Sequence, residues 1–306
     1  MTSITTRGGH RAAVAQLGDL ARQRDAVQGQ IARARRIDGP ADDPVGFARA
    51  AVLRREQAAA LVTQRGIDAG NRRLNATDST LEGLGNLVQR ARELALQGAS
   101  GTQSAADRAT IAIELKELEA QARTLAEASD SDGQRLFGGA IAAGATYAAA
   151  LDGSLVWQGG GTAPAVAIGT DRVASGIEAP GVFGVTDAVA DTRDLFASLV
   201  ALRTALAEPD DTLRQAGVET AIGDMDAHIN RIANARGIIG AQLGRLDAEG
   251  ERLEKAKLAT ETDLSKLESL DMPEAIARLQ RLLTVIEAAQ ASFVKVSSLS
   301  LWDQLR

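Results

Sequence analysis

Asp130-Ser131-Asp132-Gly133 is the stretch of this sequence that comes nearest to a metal-binding loop. A calcium loop of that kind needs an oxygen ligand at its first position and a bidentate Glu at its twelfth. Ala128 and Gly139 stand there instead, so a helix-ending turn is expected. Gly159, Gly160 and Gly161 lack the Lys-Ser/Thr pair of a phosphate-binding loop and precede no helical pattern, which makes them loop residues. His10 and His228 lie far apart, and neither has the carboxylate and nucleophile neighbours that acid–base or triad chemistry requires. Exposed helix histidines are the expectation. Asp42 and Asp43 pair two carboxylates, a grouping suited to a metal or to proton transfer, but Pro44 follows directly. Proline fits the first helical position, and Asp43 can accept from the free N–H groups there, so helix capping is the expected role. No catalytic, cofactor-binding or metal-binding residue is assigned, and no cofactor is expected.

The elements behind these residues are helical by composition. Ala, Leu, Arg, Glu, Asp and Gln dominate and aromatics make up 3%, the profile of long helices packed by small and aliphatic side chains. The two histidines and one tyrosine are fewer than an enzyme pocket of this size normally draws on. With no cysteine, disulfides, thiolate catalysis and Cys-based metal sites are excluded. The 306 residues suffice for one elongated or two compact domains. Met1 to Val14 has no apolar signal region, and no stretch reaches the ~18 apolar residues of a membrane span. That pattern alone points to the cytoplasm and to no membrane partner, unless the protein has its own export route. A formal charge of −6 argues against nucleic acid as a partner, although Arg22, Arg24, Arg33, Arg35 and Arg36 make the first helix locally basic.

The first helix is expected from about His10 to Arg36, with an apolar stripe of Val14, Leu17, Leu20, Val27 and Ile31 and an end at Gly39-Pro40. After Asp42-Asp43-Pro44, a seven-residue row runs through Leu53, Ala60, Ile67, Leu74, Leu81, Val88 and Ala95. Such a row keeps one seam facing a neighbouring helix over about 40 residues, or ~60 Å. A third helix is expected over 105–129. Helical spacing is lost over about 140–186, where Gly, Val and Thr surround short apolar runs, so a small β-rich insertion is expected. It lies outside the heptad rows and is expected to be dispensable for assembly. A short helix follows, with Leu195, Leu199, Leu202 and Leu206 before Pro209.

Ile222, Ile229 and Leu243 then alternate with Met225, Ile232, Ile239, Leu246 and Leu253 in a coiled-coil register broken by Arg236 and Gly250. A polar stretch over 260–271 precedes a last helix with rows at Leu279, Ile286, Phe293 and at Leu282, Ala289, Val296. The economical architecture is mainly α: a long coiled-coil-like helical hairpin rod of N- and C-terminal segments, with the β-rich domain inserted in the middle.

Several blocks resemble the bacterial flagellin superfamily. Arg36-Ile37-Asp38-Gly39-Pro40-Ala41-Asp42-Asp43-Pro44 resembles its turn between the first two helices. Gly66-Ile67-Asp68-Ala69-Gly70-Asn71 and Leu87-Val88-Gln89-Arg90-Ala91-Arg92-Glu93-Leu94-Ala95 are similar to its second-helix blocks, and the segment from Gly237 to Leu246 to its C-terminal one. The likeness covers about 1–139 and 190–306. Gln134-Arg135-Leu136-Phe137-Gly138-Gly139, Asp194-Leu195-Phe196-Ala197-Ser198-Leu199, Ala275 to Val285 and the Ser297 to Trp302 tail look more like the members that join hook to filament. Gln304-Leu305-Arg306 is also similar to the ends of filament flagellins.

The resemblance implies a non-enzymatic structural subunit of an extracellular flagellum, exported by the flagellar type III apparatus without a cleaved signal. It implies like subunits in a ring or helical array, a neighbouring hook-associated protein and flagellin as partners, and an export chaperone at the C-terminal helix. The segments expected on that basis are 1–40 and 266–306 as terminal inner-tube helices, 41–139 and 187–265 as the two halves of the rod, and 140–186 as the insertion. Leu17, Leu20, Val27, Ile31, Leu279, Leu282, Ile286, Phe293 and Val296 are the expected subunit contacts, with Asp42, Asp43 and Pro44 as cap and turn. The terminal helices are expected to be poorly ordered in an isolated monomer, since their stripes have few partners within one chain. Filament flagellin and a cytoplasmic coiled-coil scaffold are the alternative readings.

Overall fold

A computed structural model describes the backbone of residues 2–139, 145–149, 155–169, 171–185 and 193–304, and side chains between 11 and 295 within those segments except those of 149 and 155. The order is α1 (Thr2–Arg33), α2 (Pro44–Ala99), α3 (Ala105–Ala126), β1 (Tyr147–Ala149), β2 (Leu155–Trp157), β3 (Ala165–Ile168), β4 (Asp171–Ala174), α4 (Ala179–Phe183), α5 (Leu195–Ala207), α6 (Asp211–Glu268) and α7 (Met272–Gln304). Two compact units result, one of residues 1–60 with 255–306 and one of residues 61–254.

In the larger unit α2 and α6 run antiparallel along the expected seam. Ile67, Leu74, Leu81, Val88 and Ala95 of α2 are buried, as are Met225, Ile232, Ile239 and Leu246 of α6. The break in the α6 register at Arg236 is an ion pair across the seam: its guanidinium donates to both oxygens of Asp78, at 2.8 and 3.1 Å. Asn71 donates to Asp247 and Arg92 to Asp226 further along, which fixes the direction of the pair. The outward face of α6 is low. Gly223, Ala227, Asn230, Asn234, Gly237, Ala241 and Gly244 alternate at spacings of four and three and are all exposed. A Cβ added at Gly223, Gly237 or Gly244 would meet nothing within 4 Å.

The capping box of Ser104 and Asp107 starts α3, which packs inward through Ile111, Leu115, Leu118 and Ala122. Against it lies α5, with Leu195, Phe196, Leu199, Leu202 and Leu206 buried. Asp194 caps α5 by accepting from Ala197 N at 2.8 Å.

The middle segment forms two antiparallel hairpins, β1 with β2 and β3 with β4. Far from lying outside the packed helices, its described residues enter the core. Ile168, Val173, Ala179, Val182 and Phe183 are buried in the cluster that also holds Leu74 and Leu246. Phe183 meets Phe137 edge-on at 5.3 Å and stacks on Phe196 at 5.5 Å. Gly66 and Gly70, one helical turn apart on α2, supply the seat for β3. A Cβ at Gly70 would stand 2.7 Å from Val166 and 2.9 Å from Leu246, and one at Gly66 3.3 Å from Val166. The loss of helical spacing therefore marks a change of element and not a separable appendage.

The turn expected at 130–133 braces the segment leading into Phe137. Asp130 accepts from Asp132 N and Gln134 N through one oxygen, and through the other from the buried Arg73 at 2.5 Å. Arg73 also donates to the carbonyls of Arg135 and Leu136.

Some boundaries differ from expectation. The first helix ends at Arg33, before Gly39-Pro40, because Ala34 takes a left-handed conformation (φ 52°). Ala34 N donates to Ile31 O and Arg35 N to Gln30 O, the bond pair of a Schellman motif. The polar stretch from 260 is helical to Glu268, leaving only 269–271 between α6 and α7. The short helix α4 had no sequence signal of its own.

Candidate assembly surface and the turns that set it

The smaller unit carries the residues expected to contact other subunits. Helices α1 and α7 pack together. Of their apolar stripes, Val27 and Ile286 are buried, at 5% and 8% exposure, and Ala275 joins them at 5%. Leu17, Leu20 and Ile31 on α1, and Leu279, Leu282 and Phe293 on α7, are half-buried. The side chain of Val296 lies outside the described residues, as does that of His10. A second row on α7, absent from the expected set, is more open: Ile276, Leu283 and Val294 recur at multiples of about two and three turns with exposures of 43%, 39% and 66%.

Two turns hold these helices together at one end. Asp43 Oδ1 accepts from Gly46 N at 2.9 Å and Pro44 opens α2, the cap geometry that an Asp-Pro start favours. Asp42 does different work. Its Oδ2 accepts from Asp38 N and Gly39 N, and these backbone donors hold its carboxyl below the ordinary carboxylate range. Ile37, 2% exposed, sits over Gly46, where an added Cβ would stand 2.5 Å from its Cδ1.

Across from this turn is the end of α6. Arg36 N donates to Glu268 O at 2.8 Å, and the Arg36 guanidinium donates to Leu267 O at 2.9 and 3.2 Å. These are carbonyls that a helix end leaves without partners, and a cation there also opposes the helix dipole. The Glu268 carboxylate, its side chain 10% exposed, accepts from Arg54 at 2.5 Å and lies 3.8 Å from Arg35. Between the turns is a cleft of about 470 Å³ lined by Val27, Ile37, Asp43, Lys266, Asp271 and Arg278 among others.

Among the described residues of the larger unit, His228 and Ser198 come nearest to a catalytic pair. His228 is not the exposed histidine that was expected: it is 2% exposed, with Ser198 Oγ 3.0 Å from Nε2 and Arg231 Nη1 2.8 Å from Nδ1. The pair resembles a nucleophile and its base, but a guanidinium can only donate, so Nδ1 is the acceptor and Nε2 carries the proton. A protonated Nε2 cannot take the proton of Ser198. Among the described residues no group of three or more His, Asp or Glu is placed to hold a metal.

The N-terminal part of the chain, residues 4–142, matches the family model for the bacterial flagellin N-terminal helical region, and residues 222–303 match that for the C-terminal helical region. The chain belongs to the bacterial flagellin family. Among curated relatives, flagellar hook-associated protein 3 of Escherichia coli (strain K12) is 24% identical over 287 residues, 90% of each chain. Flagellin of Listeria monocytogenes is 26% identical over 263 residues, 83% of this chain and 82% of the relative. The fold is shared with a putative flagellar hook-associated protein from Vibrio parahaemolyticus, with a TM-score of 0.68 and 21% identity over 74% of this chain and all of the other.

In this flagellin-family chain, then, the residues of the Arg36 to Pro44 block make the turn that caps α2 and closes α6. Those of the Gly66 to Asn71 block seat a hairpin. Sequence reasoning found the apolar stripes through their period. It missed Glu268 and Arg54, which meet across 214 positions of chain and carry no local signal.

Proposed function

We propose that this chain is a structural, non-catalytic subunit joining the flagellar hook to the filament. What carries the reading is the extent of the likeness to hook-associated protein 3, which covers 90% of both chains and so includes the middle segment as well as the helical ends. The half-covered stripes of α1 and α7 and the open row of Ile276, Leu283 and Val294 fit a role in which further burial comes from neighbouring subunits. Partners on this reading are like subunits, a hook-side neighbour and flagellin. The chain reaches the cell exterior through the flagellar export apparatus without a cleaved signal, attended by a chaperone at α7.

A junction subunit presents unlike ends, since one meets a hook-side protein and the other meets flagellin; matched ends would give open-ended growth. Purified protein at high concentration, seeded with filament fragments, is expected to stop at short oligomers, and its gene to restore filaments to cells lacking their junction protein. Micrometre filaments of this protein alone would establish filament flagellin instead, the reading that the Listeria likeness favours.

A further inference from the structure

We propose that Arg231 is an acid-released wedge beneath α4: when His228 takes up a proton, the guanidinium leaves Gly184 and α4 comes free of the core while the α2–α6 seam stays closed. The device lies within the larger unit of one chain, so it goes beyond the junction reading and does not depend on it.

Arg231 stands between the imidazole and the end of α4. A Cβ added at Gly184 would fall 2.6 Å from its Nη1 and 3.1 Å from its Cζ, so the guanidinium rests directly on that stretch of backbone. Gly184 follows the last residue of α4, holds a positive φ of 83° and donates its N–H to Pro180 O. Five residues are too few for a helix to persist without packing. What keeps α4 in place is the burial of Ala179, Val182 and Phe183, each 1% exposed or less, beside the backbone that Arg231 supports.

The pair has no means of absorbing a second charge. Protonation turns Nδ1 from an acceptor into a donor, facing another donor at 2.8 Å with two positive charges in contact. Arginine does not give up its proton, so only separation relieves the clash. The charged groups on the surrounding elements are already engaged. Asp224, one turn back on α6, takes Arg193 at 3.0 Å, and Asp194 at the start of α5 accepts from Ala197 N. Towards α2, Arg92 is paired with Asp226 and Arg236 with Asp78. Ser198, the α5 group that meets Nε2, is neutral, and α4 carries no charged side chain. The seam has its own buried contacts in Met225, Ile232 and Ile239, which do not pass through Gly184.

Methyl-resolved NMR of the full chain, titrated from pH 7.5 to pH 3.5, tests this. The Val182 methyl signals are expected to move to unfolded-chain positions with the same midpoint as the His228 ring signals, near pH 4, while those of Ile232 and Ile239 stay folded. Val182 signals that remain folded after the ring has titrated would overturn the proposal, and so would loss of Val182 and Ile232 together. His228→Gln cannot take up the charge and is expected to keep Val182 in place down to pH 3.5; release at the parent's midpoint would refute the wedge. If that variant does not fold, Arg231→Met decides. It is expected to show Val182 partly released already at pH 7.5 with Ile232 unmoved, and Val182 seated as in the parent would sink the idea.

Discussion

At the residue scale, the buried polar groups of the larger unit set how stability responds to acid. Burial holds His228 down to about 4, against 6.5 in an exposed chain, and the adjacent Arg231 acts in the same direction. Between those values the unfolded chain binds a proton that the folded one refuses. Its contribution is therefore complete above pH 6.5, falls as pH drops towards 4 and is then lost, a swing of about 3 kcal/mol. Urea unfolding at pH 7.5 and pH 4 should show that swing, and His228→Gln should remove most of it. Arg73→Ala should be costly at neutral pH, by about 3 to 5 kcal/mol, because it strands the Asp130 carboxylate and two carbonyls. A fall in the urea midpoint is the readout. Ala34 works the other way. Its left-handed backbone is one that glycine adopts freely, so Ala34→Gly should stabilise the chain by up to ~1 kcal/mol, provided the Schellman bonds persist.

At the scale of elements, the sequence was most readable where one period lasted longest. The α2 row from Leu53 to Ala95 and the α6 rows from Met225 to Leu246 are where a seam should lie, because a long helix repeats its facing residue many times. What could not be read was set by single contacts across the chain. Arg236 looked like a flaw in a heptad until Asp78, 158 positions away, supplied its partner. His228 looked like a surface residue because its neighbours in sequence are ordinary for an exposed helix, while its burial comes from α5. Glycine separates the two kinds of signal. At Gly70 there is no room beside Val166 and Leu246, so Gly70→Ala should destabilise by about 1 to 3 kcal/mol through overpacking. At Gly237 there is open space, so Gly237→Ala should stabilise the monomer by up to ~1 kcal/mol through helix propensity. Thermal melts of the two variants should move in opposite directions.

At the scale of the whole molecule, the middle segment decides how far the chain tolerates trimming. Replacing 164–175 with a flexible linker removes Ile168 and Val173 from the core and, with the half-buried Val166, uncovers the Gly66–Gly70 face of α2. A loss of several kcal/mol is expected from two buried aliphatic side chains and the surface they cover. A linker variant that melts with the parent would show the hairpin to be peripheral after all. Assembly is a separate matter. Phe293→Asp, on the half-buried row of α7, should leave the melting of 61–254 unchanged while preventing incorporation, because a carboxylate would be desolvated at every subunit contact. Cells secreting that variant should carry bare hooks, and normal filaments would remove the row from the interface.

Trp157 gives the chain a built-in optical reporter. Its indole N–H donates to Phe137 O at 3.3 Å, and the ring is packed so closely over Gly159 that a Cβ there would fall 2.3 Å from it. The only other tryptophan is Trp302. In a Trp302→Phe background, fluorescence emission would come from the β1–β2 hairpin alone. Its wavelength would then register whether that hairpin is seated on Phe137, in the free chain and again once the chain has entered a flagellum.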